Sequence, residues 1–68
     1  MRVAVKTVVE RAGGARPLAD ILGVSHQAVY AWIDRGWFPP ERAVQISRRF
    51  KVPKSKLIDP KLAKLLAV

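Results

Sequence analysis

The chain has no cysteine and a single histidine. That removes disulfides and thiolate metal ligation together, and a lone imidazole does not hold a metal by itself. Acidic side chains are scarce too, 5 against 13 Lys and Arg. No apolar run approaches the roughly 18–20 residues that span a bilayer. At the N-terminus, "MRVAVKTVVERAGG" interrupts its valines with Lys6, Glu10 and Arg11, unlike the core of a signal peptide. No stretch alternates with period two, and no Asn-Gly or Asp-Gly pair marks a hairpin, so strands are not expected. A Gly-rich phosphate loop is missing. Ser25 and His26 are neighbours in sequence, and neighbouring helical residues do not face each other, so they make no nucleophile–base pair. No catalytic residue, metal or cofactor is expected, and the protein is not read as an enzyme.

What is present is a globular composition, 50% apolar over 68 residues. This is enough for one domain, spanning 1–68, with a thin core. Without covalent staples, such a core needs self-association or close helix packing. The formal net charge is +8. Residues 1–24 carry four basic and two acidic groups, 25–50 the same, and 51–68 five basic and one acidic. A field of that sign favours a polyanionic partner, nucleic acid first and an anionic membrane second. The caps and turns described next specify a globule, which sets a membrane-active peptide aside. No small-molecule ligand is expected, and a soluble, cytoplasmic setting fits.

Val5, Val8, Val9 and Ala12 fall on one helical face, and the glycines at 13–14 end a helix over about 3–12. In "ARPLADILG", Pro17 is tolerated in a first turn, Leu18, Ile21 and Leu22 face inward, and Gly23 stops a short helix over about 16–22. Ser25 is an N-cap; Ala28, Val29, Trp32 and Ile33 then repeat at helical spacing until Arg35 and Gly36 close the helix. After the break "WFPP", a helix runs from Pro40 to Phe50, with Ala43, Val44, Ile46, Ser47 and Phe50 inward. Pro53 to Leu57 suits a single turn, and Asp59 before Pro60 suits the start of a last short helix. The expected fold is therefore all-α: a compact four- to five-helix domain with no β-hairpin.

Two short helices joined by a glycine turn, the second amphipathic, make a helix-turn-helix over about 16–35. Ala19 permits close approach of the two helices, while Val24, Val29 and Trp32 pin the second to the first. A helix held at a set height and tilt can read the major groove with its N-terminal residues. The candidate base contacts are His26, Gln27, Tyr30 and Ala31. Gln27 can bond N6 and N7 of adenine; His26 can donate to guanine or contact a phosphate. Tyr30 can bond a phosphate or cover a thymine methyl, and Ala31 is small enough to sit over that methyl. Arg16, Ser25 and Arg35 are the candidate phosphate contacts.

"LADILGVSHQAVYAWIDRGWFPPERAVQI" resembles the Cro and repressor-like helix-turn-helix proteins of temperate phages and the related YdaS-like antitoxin repressors. The resemblance rests on Leu18 and Ala19, then Leu22, Gly23 and Val24 at the turn, then Ser25, His26 and Gln27, then Val29 and Trp32. It extends to Arg35, Gly36, Pro39, Glu41 and Arg42, covers about residues 14–50, and is fainter in "KSKLIDP". It implies a transcriptional regulator in a bacterial cell that binds operator DNA as a homodimer. The base contacts it implies come from the positions of His26, Gln27 and Tyr30. Arg16 and Pro17 stand where many members place a phosphate-clamping glutamine, and Ala31 replaces a longer polar side chain of some Cro proteins.

Two apolar surfaces stay open in the sequence. Trp37 and Phe38 either fold back over the neighbouring helices or offer a patch to a second subunit. Phe38 tends to the core and Trp37 to the interface. The apolar tail of the segment over about 53–68 completes the core or the dimer, so Leu62, Leu65 and Leu66 join Trp37 and Phe38 as interface candidates. Two other functional classes compete with the repressor. An excisionase-like architectural protein is suggested by "AVYAWIDRGWFP" but needs a strand-rich wing. An antitoxin or protein-interaction module would use the Trp37–Phe38 and tail surfaces.

Overall fold

Valines one helical turn apart, and glycines where each pattern stops, set out the first half of the chain. The computed structural model describes residues 2–66, with side chains to 65. Its helices are α1 (Val3–Ala12), α2 (Ala15–Leu22), α3 (His26–Arg35), α4 (Pro40–Phe50) and α5 (Pro60–Leu66), with one 3₁₀ turn at Lys54–Lys56. No strand occurs among the described residues, so the wing that an excisionase-like architecture needs is missing there. No described helix is long and apolar enough to cross a membrane.

The ends form as the local chemistry dictates. After α2, Gly23 adopts φ 70°. Its N–H reaches Asp20 O at 3.3 Å while Val24 N–H reaches Ala19 O at 3.0 Å. This paired arrangement satisfies the last carbonyls of α2 and turns the chain sharply. Two residues on, the Ser25 hydroxyl accepts from Ala28 N at 3.3 Å and starts α3. Asp59 Oδ1 accepts from Lys61 N at 2.9 Å and starts α5 in the same way.

The core runs through α1 to α4 and past them: Val5 and Val8 of α1, Leu18 and Leu22 of α2, Val29 and Trp32 of α3, Ala43 and Ile46 of α4, and Leu57 beyond. Ala19 is 2% exposed, and its small side chain lets α2 and α3 meet closely. Val44, Ser47 and Phe50 are half-buried on the flank of α4, and Ile21 is half-buried on α2. The Cα radius of gyration, 11.0 Å, equals the value of about 11 Å for a close-packed chain of this length.

For Phe38 the core placement holds, and its candidacy for the interface is corrected. A subunit interface is not open to it, because the side chain is 0% exposed. Its ring meets Trp32 edge-to-face, with centroids 5.8 Å apart and planes at 72°. Its N–H donates to Leu57 O at 2.7 Å, so the break after α3 is tied to the chain beyond α4. Burial and this backbone bond draw Phe38 inward, although nothing periodic around it announces a core position.

Candidate nucleic-acid interface

The ten residues of α3 make a rod about 15 Å long. Its inner side is fixed: Val29 is 0% and Trp32 8% exposed. Gln27, Tyr30, Ala31 and Asp34 are exposed on the outer side, and His26 is half-buried at its start. These five fall in two adjacent rows, 26–30–34 and 27–31, as helical geometry requires. His26 and Tyr30 meet edge-to-face, centroids 6.1 Å apart and planes at 87°, so each limits the other's rotamers. The four candidate base readers therefore share one outward strip of a single helix. The major groove admits one α-helix, and this helix can enter it with the strip toward the base edges.

At the N-terminal end, the Ser25 oxygen is engaged with Ala28 N, which leaves its hydroxyl hydrogen to donate. The first turn of α3 carries no acid, so its positive end is not neutralised from within the helix. Arg35 is exposed in the last turn of α3, and Arg16 is exposed in the first turn of α2. The structure thus places Ser25, His26, Gln27, Tyr30 and Ala31 together, with Arg16 and Arg35 on separate turns. Among the interface candidates, Leu65 is 72% exposed. Trp37 and Leu62 are half-buried, and the side chain of Leu66 lies outside the described residues.

Three arginines have a role that sequence reading does not give them. Arg42, in the first turn of α4, donates through Nη1 to Leu22 O at 3.3 Å and to Gln45 Oε1 at 3.0 Å. It therefore clamps the carbonyl end of α2, next to the turn that aims α3. Arg11 caps the end of α4 through Phe50 O at 2.7 Å, and Arg2 reaches Ile58 O at 2.6 Å. Cations suit Leu22 O and Phe50 O, which lie at the negative ends of the α2 and α4 dipoles. One sequence signal points to Arg42: a cation in a helix's first turn opposes the dipole, so it needs a partner elsewhere.

The remaining charge is little neutralised. Among the described residues, the one side-chain ion pair is Lys6–Glu10 at 3.9 Å, with both side chains about two-thirds exposed. Such a pair is worth at most about 0.5 kcal/mol. Among the described residues, no charged or polar side chain is buried and no group of three or more metal-capable side chains occurs.

Residues 5–57 match the family described as bacterial toxin YdaS, from α1 to just past the 3₁₀ turn. No curated protein and no solved structure matches the chain.

Proposed function

The chain belongs to the bacterial toxin YdaS family, and from the geometry of α3 we propose that it is a sequence-specific DNA-binding regulator acting as a Cro-like repressor. The observation that supports this most is the outward strip of His26, Gln27, Tyr30 and Ala31 on a helix whose other side is locked by Val29 and Trp32. Rigid presentation of hydrogen-bonding side chains is what base readout needs. Two copies set α3 into successive major grooves about 34–36 Å apart, and the dimer excludes polymerase by occupancy rather than by chemistry. Gln27 reads adenine; His26 and Tyr30 read or flank it; Ser25, Arg16 and Arg35 hold phosphates. The test is enrichment of random duplex DNA on the purified protein. A two-fold-related site with half-sites one helical turn apart is expected, and recovery of no preferred sequence overturns the proposal.

The family description names a toxin, which favours a second reading. In it, the protein binds a host protein through Trp37 and the exposed Leu65. Induced expression of variants separates the two. Growth arrest that survives Gln27→Ala but is lost in Leu65→Glu moves the conclusion to the protein partner.

A further inference from the structure

Each of α1 to α4 ends in a left-handed residue. Three of these are glycines, Gly13, Gly23 and Gly36, and the fourth is Lys51, at φ 56° and ψ 43°. Lys51 is the one non-glycine residue with positive φ among those described. A β-carbon is disfavoured in that conformation, so a lysine there points to something its side chain does.

Lys51 lines a groove of about 510 Å³ between α1 and residues 51–56. Arg2 and Arg11 line it from one side and Lys51 and Lys56 from the other, and no carboxylate is among its lining residues. Ala4 and the buried Val52 form an apolar floor, with Pro53 at the edge. Arg2 donates through Nη1 to Ile58 O at 2.6 Å and to Gly36 O at 3.5 Å, Arg11 donates to Phe50 O, and a guanidinium keeps further donors beyond such bonds. No α3 residue lines the groove, so it is separate from the candidate DNA face.

We infer that this groove binds an extended acidic peptide segment of a partner protein. Its volume lies within the roughly 300–1,000 Å³ of sites that hold a compact ligand. An extended peptide sends successive side chains to opposite sides. One set then faces the apolar floor, while the other points outward, where the long Lys and Arg side chains of the rim can reach it. Duplex DNA presents its phosphates on a convex surface and leaves such a floor unused.

The test is titration of the ¹⁵N-labelled full chain with a blocked Glu-Val-Glu-Val-Glu peptide, with its glutamine counterpart, and with a scrambled DNA duplex. The glutamate peptide is expected to shift the amides of Thr7, Val52 and Lys56 and to leave Gln27 and Tyr30 in place. The glutamine peptide is expected to bind roughly tenfold more weakly or worse. Lys51→Gly removes both the charge and the strain. It is expected to raise the melting temperature while weakening peptide binding by up to roughly fivefold, the ceiling for one exposed ion pair. Lys56→Glu is expected to weaken binding further with the fold intact. Equal binding of the two peptides, no shift in the groove, or unchanged affinity in Lys51→Gly overturns the inference. So does a duplex that shifts Thr7 and Val52 at lower concentration than the peptide, because the groove then belongs to a nucleic-acid surface.

Discussion

Arg42 sits where a cation opposes its own helix, and its bonds to Leu22 O and Gln45 Oε1 are what it gains in exchange. Arg42→Met keeps the aliphatic stem and removes both bonds. It is expected to lower stability by about 1–2 kcal/mol in urea unfolding. If α3 reads DNA, the same variant loses discrimination between operator and scrambled duplex, because the turn that aims α3 is no longer clamped. Gln27→Ala acts differently. It is expected to relax sequence preference by about 1–3 kcal/mol at one base pair. Arg35→Ala is expected to weaken every sequence alike. Salt-matched anisotropy titrations separate these outcomes, and equal losses on both duplexes for both variants refute the division of roles. At this scale the sequence is uneven in what it discloses. Gln27 is legible because it follows a turn signal and a cap within a few residues. Arg2, Arg11 and Arg42 are not, because their carbonyl partners lie 56, 39 and 20 positions away. Local pattern carries nothing about such pairs.

Element boundaries depend on short-range chemistry, so most of them can be read directly. Ser25 caps α3, Asp59 caps α5, and Pro40 opens α4, each through groups within three residues. Gly23 offers the cleanest check. A β-carbon built there meets nothing within 4 Å, so Gly23→Ala is a test of the backbone alone. The substitution is expected to cost about 1–2 kcal/mol. Calorimetry then records a melting temperature lower by about 4–8 °C per kcal/mol for a domain of this size. An unchanged transition contradicts the left-handed turn. At the break of Trp37 and Phe38 the sequence favours the core for Phe38 without showing what covers it. Between Gly36 and Pro39 there is no helical period to reveal a face. The burial of Phe38 depends on Trp32 beneath it and on Leu57, nineteen residues later.

A molecule this small depends on few side chains. Phe38→Ala is expected to cost about 3–5 kcal/mol. That matches the entire stability a single core of this size supplies. Circular dichroism of this variant at 25 °C should record loss of most helix, and a cooperative native-like melt contradicts the placement of Phe38 in the core. The proposed dimer has its own whole-molecule signature. With about six phosphates contacted, log affinity for DNA should fall against log salt with a slope near −5. A slope near zero removes the electrostatic reading of the +8 charge. The all-helical architecture was legible because its periodicities are local. The way its two ends are joined was not. Arg2 bonds to Ile58 O and Phe38 N–H bonds to Leu57 O, so both ties wait for residues 57 and 58. Arg11 at Phe50 O and Arg42 at Leu22 O already tie α1 and α2 to α4 within the first fifty residues, whereas Phe38 is held from beyond them. The docking of Phe38 is therefore expected to follow the pairing of the first four helices, because its backbone partner is made later than all of them.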